Sequence, residues 1–357
     1  MKVYDTIVIG GGQAGLSVAY FLRRKKIDFL VLDNQYKAGG SWLHTWDGLK
    51  LFSPVEYSSL SGWQMPKGVN EYPSKNEFIS YMEEYQERYQ FPTKRNTNVY
   101  TVTKQDNIFK IDTNSGVFYS NTLVSATGTA NSPFIPKYQS LELFKGISIH
   151  SVQYKNANEF TNKNVLVVGG GNSGAQVLAE VSELANTQWV TLDEPCFLPD
   201  DVDGRYLFKE TNQRYLGKST NPSKSLSNIV MVESVKQART RKVLHAKRPF
   251  QSFYEKGIIW KDGTKETFDA VIWCTGFKAN LKHLSLLGIV ENHKIKTQYT
   301  RVIKEPNLWL VGYGNWTGFA SATIYGVGKT ARRTVEEITI ELNNLKNNSI
   351  NKDLAQK

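Results

Sequence analysis

Cysteine is scarce: Cys196 and Cys274 are the two in 357 residues. They lie far apart and form no C-x-x-C pair, so neither a disulfide framework nor a zinc site is suggested, a thioredoxin-reductase-like dithiol is disfavoured, and no metal site is expected. Long apolar runs are also missing. No stretch of about 18 consecutive apolar residues occurs, and Met1-Lys2 leads straight into a strand rather than into the apolar region of a signal peptide. A soluble, cytoplasmic protein with no membrane partner is expected. The net charge is +11, yet the basic residues are dispersed and no Lys/Arg block stands out, which disfavours nucleic acid as a partner. Part of the excess falls in Leu345 to Lys357, a lysine- and asparagine-rich tail expected to fray. Positive potential elsewhere would steer an anionic nucleotide.

Glycine, by contrast, is placed with purpose. Ile7-Val8-Ile9-Gly10-Gly11-Gly12-Gln13-Ala14-Gly15 reads as strand, turn and helix, and about 160 residues on Val165-Leu166-Val167-Val168-Gly169-Gly170-Gly171-Asn172-Ser173-Gly174 repeats it. In such a turn the first glycine permits a tight exit from the strand, the second lets backbone N–H groups approach a pyrophosphate, and the third lets the helix pack closely. The helix N-terminus then faces the phosphates, where unpaired N–H groups and the dipole favour an anion. Two dinucleotides are implied. After the first turn, a helix from Ala14 to Lys25 and a strand Phe29 to Leu32 lead to Asp33, 18 residues past Gly15, near the spacing at which a carboxylate accepts from a ribose.

Length and pattern agree with two linked lobes. A chain of 357 residues exceeds the size at which one core keeps growing. An amphipathic helix is expected over Lys75 to Tyr89. Short strands are expected over Val99 to Thr103, Ile108 to Thr113 and Val117 to Tyr119, with Asn114-Ser115-Gly116 as a hairpin turn. The strand Thr122 to Ala126 ends in Thr127-Gly128, and the strand Ala270 to Cys274 ends in Thr275-Gly276, each suited to a backbone turning sharply beside a dinucleotide. A last strand, Asn307 to Gly312, leads into Gly314, Gly318 and a helix beginning near Ala322, a segment expected to return to the first lobe.

With both glycine turns, both T-G turns and this last segment in place, the chain resembles the two-dinucleotide flavoproteins. Phe144-Lys145-Gly146 through His150 to Tyr154 is similar to the F-x-G-x-x-x-H-x-x-x-Y/W fingerprint of class B flavoprotein monooxygenases, which oxidise nitrogen, sulfur or carbonyl substrates. Gly39-Gly40-Ser41-Trp42, Leu51-Phe52-Ser53-Pro54, Gly62-Trp63-Gln64-Met65-Pro66 and Phe197 through Asp200-Asp201-Val202-Asp203-Gly204-Arg205 resemble the bacterial CzcO-like and ArsO-like subgroup. The resemblance runs from about Tyr4 to about Glu341. It implies an α/β fold of two Rossmann-like domains: an FAD-binding domain over 1–150 and 290–345, an inserted NAD(P)-binding domain over 155–285, and a flexible tail over 346–357.

The same resemblance implies the chemistry. NADPH or NADH would reduce FAD, and the reduced flavin would meet O2 and form a C4a-(hydro)peroxyflavin that oxygenates a small-molecule substrate. The cofactor carries the hard step, so no nucleophilic triad is required. Gly10, Gly12, Gln13, Ala14 and Gly15 would hold the FAD pyrophosphate with Asp33 on its ribose; Gly40, Ser41 and Trp42 would lie along the flavin, with Thr127, Gly128, Gly312 and Gly314 beside it. Gly169, Gly171, Asn172, Ser173, Gly174, Thr275 and Gly276 would hold NAD(P)H. His150 is expected in the linker between the lobes, fixing geometry for reduction and oxygenation. The aromatic segment holding Trp42, Trp46, Phe52, Tyr57 and Trp63 would line a substrate pocket or serve plain packing, as would Tyr313, Trp316 and Phe319. A homodimer would be unsurprising.

Two positions depart from the family pattern. Where eukaryotic-type members carry an asparagine that supports the oxygenated flavin, this chain has Phe52, beside Ser53; Ser53 would supply the hydrogen bond, or the protein would act as an NAD(P)H reductase or oxidase that releases peroxide. After the strand ending in Thr191, an NADP-preferring member offers an arginine, whereas this chain has Leu192-Asp193-Glu194. Two acids there would repel a 2′-phosphate and favour NADH, unless Arg205 or Lys218 folds back to restore NADPH binding.

Overall fold

The computed structural model describes residues 2–68, 71–202, 228–318 and 320–355; Asp203, Gly204, Arg205, Lys218 and Phe319, named above, lie outside them. Two compact units emerge. The first comprises Met1–Leu43, Val55–Asn131 and Ala279–Lys357, and the second His44–Pro54 and Ser132–Lys278.

The chain opens with β1 (Val3–Ile9), α1 (Gln13–Arg24) and β2 (Phe29–Leu32), the last two strands running parallel with Val8 opposite Val31. α2 (Lys75–Tyr89) starts on a capping box: the Glu77 N–H donates to the Ser74 hydroxyl at 3.2 Å, and the Ser74 N–H donates to the Glu77 carboxylate at 2.7 Å. Then come β3 (Thr93–Lys94), β4 (Val99–Gln105), β5 (Ile108–Thr113) and β6 (Gly116–Ser125). The two strands expected over 117–126 form one, because β6 pairs with β5 through Ser120 and with β1 from Tyr119 to Ser125, leaving no break.

The second unit carries β7 (Ile147–His150), β8 (Asn164–Val168), α3 (Asn172–Val181), β9 (Asn186–Val190), α4 (Glu233–Thr240), β10 (Ala246–Lys247), β11 (Ser252–Tyr254), β12 (Gly257–Ile259), β13 (Lys265–Thr267) and β14 (Ala270–Trp273). Its main sheet is parallel throughout, in the order β10-β9-β8-β14-β7. Such a sheet is covered on both faces, so its strands read as unbroken apolar runs. Val165 and Val167 face one core with Ala175, Leu178 and Ile272, and Leu166 and Val168 face another with Phe250, Phe253 and Trp273.

Residues 44–54 join this unit through Trp46. Its ring packs with Tyr154 and Phe160, and its indole N–H donates to the Glu180 carboxylate at 3.0 Å, which also accepts from the Tyr154 hydroxyl at 2.9 Å. Burial raises the Glu180 pKa, and those two donors pull it back. Phe52 packs against Leu198, Val202 and Val230. Trp46 and Phe52 therefore both pack within the second unit.

The chain returns to the first unit with β15 (Val290–Glu291), β16 (Lys294–Ile295), β17 (Thr297–Gln298), β18 (Arg301–Val302), β19 (Leu308–Leu310) and a long α5 (Ile324–Ala355). The large sheet runs β17-β18-β19-β6-β1-β2-β3, with the β4–β5 hairpin paired to β6. α1 packs against α5. Where a tail from 345 onwards was expected to fray, the helix continues to Ala355; Val335, Ile338 and Leu342 seat its earlier turns. The boundaries also differ from those expected. Residues 132–150 group with the second unit because β7 pairs with β14, and residues 279–289 group with the first because Leu281 and Leu284 enter its core.

Trp46→Phe keeps an aromatic ring but removes the donor to a half-buried carboxylate. It should destabilise the protein by about 1–3 kcal/mol, read as a lower urea midpoint with unchanged slope; an unchanged midpoint would show that the indole hydrogen bond does not anchor residues 44–54.

Candidate dinucleotide sites

Both glycine turns are built on the same contacts. A Cβ on Gly15 would lie 1.8 Å from the Gly10 carbonyl oxygen, and one on Gly174 would lie 2.0 Å from that of Gly169, so the helix seats against the turn at a distance no side chain permits. Gly10 and Gly169 have φ of 103° and 135°, and their Cα atoms face the carbonyls of Ala126 and Cys274, the last residues before the two T-G turns. No side chain caps α1 or α3, and neither carries an acid in its first turn. Their first N–H groups therefore suit a phosphate. The space fits as well: a Cβ on Gly171, Gly128, Gly276 or Gly314 would meet nothing within 4 Å.

In the first unit, three segments converge on the start of α1. The Gln13 side chain accepts from the Trp42 indole at 3.0 Å and donates to the Ala322 carbonyl at 2.9 Å. Gly40 lies against Gly12, where a Cβ would approach Gly12 Cα to 2.7 Å, and Gly312 lies against Ala14 at 2.6 Å on the same measure. Ser41 and Trp42 belong to a short 3-10 turn, Gly40–His44. The Trp42 ring meets Phe78 edge-on at 4.9 Å, Trp63 packs on Tyr81 and Tyr57 on Tyr325, so these aromatics contribute packing.

Asp33 is buried at the end of β2. It accepts from the N–H groups of Gly11 and Gln35 and is paired with Arg95, which also donates to Gln86. Burial raises its pKa, and Arg95 and the two N–H groups work against that rise. Thr127 is held by a buried network: its hydroxyl donates to the Asn280 carbonyl at 2.6 Å and bonds the Tyr313 hydroxyl at 2.7 Å, which in turn meets Ser125 at 2.6 Å. His283 completes it, 3.0 Å from the Ser125 hydroxyl. Tyr313 is thus a buried tether for the T-G turn. Arg95, Ser125 and His283 carry no signal in the sequence, since each is placed by a strand end or loop that tertiary pairing defines.

In the second unit, His150 ends β7 instead of lying in a linker. Its Nδ1 accepts the Val152 N–H at 3.2 Å, which leaves Nε2 as the protonated nitrogen, donating to the Gly276 carbonyl at 3.0 Å. Burial holds its pKa below the usual imidazole range. Both ring nitrogens are committed, so His150 fixes the Thr275-Gly276 turn, and Phe277 closes edge-on over the ring at 4.8 Å. Thr275 donates to the Phe134 carbonyl. The Asn172 side chain is engaged: its oxygen accepts the Val230 N–H at 2.8 Å and its amide reaches the Asn228 carbonyl at 3.4 Å. One amide N–H and the backbone remain for a nucleotide. Ser173 follows it in the first turn of α3. Ser53 and Phe52 sit in the 44–54 segment, Ser53 buried.

Cys196 and Cys274 are both free, and burial pushes the Cys274 thiol up to about 12. Among the described residues, no cluster of three or more His, Cys, Asp or Glu could hold a metal ion, and no helix is long and apolar enough to cross a membrane.

Comparison with known proteins gives the family. Residues 7–312 match the pyridine nucleotide-disulphide oxidoreductase family. An uncharacterized oxidoreductase, CzcO, of Bacillus velezensis is 32% identical over 94% of this chain and 99% of its own. The structure of a flavin-containing monooxygenase from Stenotrophomonas maltophilia superposes with a TM-score of 0.89 at 42% identity, covering 96% of this chain and 99% of that one. Cyclohexanone monooxygenase shares the fold, with a TM-score of 0.71 at 16% identity over 97% of this chain and 88% of its own. The chain belongs to the pyridine nucleotide-disulphide oxidoreductase family and, within it, groups with the class B flavoprotein monooxygenases; it is an oxidoreductase.

Burial leaves His283 neutral, its pKa pushed down to about 4. Unfolded imidazole titrates near about 6.5, so the unfolded chain takes up a proton here that the folded chain refuses. The stability is complete above that value and is lost as the pH falls. His283 should account for about 2 kcal/mol of the loss between pH 7 and pH 5. Urea unfolding of His283→Gln should show a correspondingly smaller loss over that interval, and equal losses in both proteins would contradict the assignment.

Proposed function

We propose that this chain is an FAD- and NAD(P)H-dependent monooxygenase acting on a small nucleophilic or carbonyl substrate with O2. The observation that carries the reading is the duplicated cradle: two uncapped helix N-termini, each seated by a glycine against a strand end and each beside a T-G turn. Two dinucleotides of separate roles account for both, and the free, distant cysteines remove a dithiol relay from the alternatives. A bound flavin supplies what no side chain here can, acceptance of a hydride from a nicotinamide and delivery of one oxygen atom from O2.

The rest is positioning by this chain. The turn Gly10 to Gly15 and the start of α1 hold the FAD pyrophosphate; Asp33, already gripping the turn through the Gly11 N–H, takes the ribose. The Gln13–Trp42 hydrogen bond fixes the backbone at Gly40 and Ser41 along the flavin. Gly169 to Gly174 and the start of α3 hold the nicotinamide nucleotide. His150, neutral and doubly bonded, keeps Gly276 in place and moves no proton.

A second reading has one specific observation behind it. Phe52 stands where eukaryotic-type relatives carry an amide, and its ring is spent on Leu198, Val202 and Val230. Without that amide, reduced flavin would release peroxide, making the protein an NAD(P)H oxidase. Turnover of thioethers, tertiary amines and ketones under labelled O2 separates the two. The monooxygenase reading predicts label in an organic product with peroxide well below the nucleotide consumed; one peroxide per nucleotide with every substrate would establish the oxidase.

A further inference from the structure

The two units share more than their glycine turns. In the first, β3 runs parallel to β2 with Leu32 opposite Lys94, the Asp33 N–H donates to the Lys94 carbonyl at 3.0 Å, and the next residue, Arg95, turns onto the Asp33 carboxylate. In the second, β10 runs parallel to β9 with Val190 opposite Lys247, the Thr191 N–H donates to the Lys247 carbonyl at 3.0 Å, and the next residue, Arg248, turns onto the Thr191 hydroxyl at 3.0 Å. Thr191 occupies the position of Asp33, and Arg248 that of Arg95.

The differences between the pairs decide their roles. Arg95 is closed off, its side chain 15% exposed against an Asp33 side chain 5% exposed. Arg248 is open, with a side chain 40% exposed; its acidic partner, Glu194, is 84% exposed and 2.6 Å away. Thr191 lies against the glycine turn, since a Cβ on Gly170 would come 3.3 Å from its Cβ and Cγ2. A nucleotide whose pyrophosphate sits on that turn presents its adenosine ribose beside the end of the second strand. A carboxylate at that strand end selects a free 2′-hydroxyl; here the strand ends in a threonine with a guanidinium alongside. The adjoining concavity, about 570 Å³, is lined by Arg248, Lys247, Lys261 and Lys265 against Asp262 and Glu266, so cations outnumber acids there.

The geometry points to Arg248 as the residue that determines cofactor specificity by binding the 2′-phosphate of NADPH, with Glu194 as the internal carboxylate that this phosphate displaces. The inference rests on reading the second unit as the nicotinamide-nucleotide site. It reverses the meaning of the acids after β9: Glu194 repels no phosphate while Arg248 neutralises it, and an exposed ion pair of this kind contributes little and exchanges readily. A phosphate offers the same fork two oxygens and more charge. With NADH, Glu194 stays on Arg248, which leaves both nucleotides usable.

Calorimetric titration of the purified protein with adenosine 2′,5′-bisphosphate and with 5′-AMP tests this without turnover. The wild type should bind the bisphosphate more tightly. Arg248→Ala should weaken the bisphosphate about tenfold or more while leaving 5′-AMP within about twofold, Arg248→Lys should retain part of the preference, and Glu194→Gln should strengthen the bisphosphate alone. Equal losses for both ligands in Arg248→Ala, or a bisphosphate preference that survives it, would overturn the role of Arg248 and leave the nucleotide site standing. Failure of the wild type to bind either ligand would overturn the site itself.

Discussion

A single steric constraint, met twice, organises this protein: the carbonyl oxygen of the first glycine in each turn occupies the place where the third glycine's side chain would begin. Only with hydrogen there can α1 and α3 drop onto the strand ends. Once they do, each helix presents its uncapped first N–H groups beside a T-G turn, with open space at Gly171 and with Gly40 lying against Gly12, and both N-termini suit an anion. The large buried sheets serve to hold that geometry. β1 between β2 and β6, and β8 between β9 and β14, place the equivalent loops around equivalent turns.

Side chains near the turns act mainly as braces. Gln13 ties Trp42 and Ala322 to the start of α1, Asp33 grips Gly11, Tyr313 ties Thr127 to Ser125, and His150 holds Gly276. Buried imidazoles with depressed pKa values are poor proton carriers near neutrality, and both His150 and His283 are of this kind. That division of labour matches cofactor chemistry: the protein fixes positions, and the reactive atoms belong to bound molecules. The two units place an arginine at the same point of the scaffold, in a buried pair with Asp33 in one and in an exposed pair with Glu194 in the other.

Much of this was legible in the sequence wherever local rules sufficed. The run Phe29 to Leu32 and the periodic helix Lys75 to Tyr89, with its Ser74/Glu77 cap, have the bounds expected, because period and capping are properties of consecutive residues. Legibility failed where pairing partners are distant. β3 and β10 are two residues long and exist through their registers with β2 and β9, so the arginines that follow them were invisible. The aromatic segment after Trp42 read as one stretch, yet Trp46 is drawn into the second unit by Glu180, a residue 134 positions away. His150 read as a linker residue because β7, partly exposed, has no strong apolar run. Asp193 and Glu194 read as two free acids because the sequence could not show Arg248 paired with Glu194.

The central claim is that the two cradles hold different nucleotides, a flavin and a nicotinamide, that exchange a hydride. The most direct measurement is anaerobic mixing of FAD-loaded protein with NADPH and with NADH while following the visible absorbance of the flavin. The account predicts that bound FAD is bleached by at least one nucleotide, at a rate that saturates with nucleotide concentration. Protein that carries FAD yet keeps its full visible spectrum with both nucleotides would contradict it.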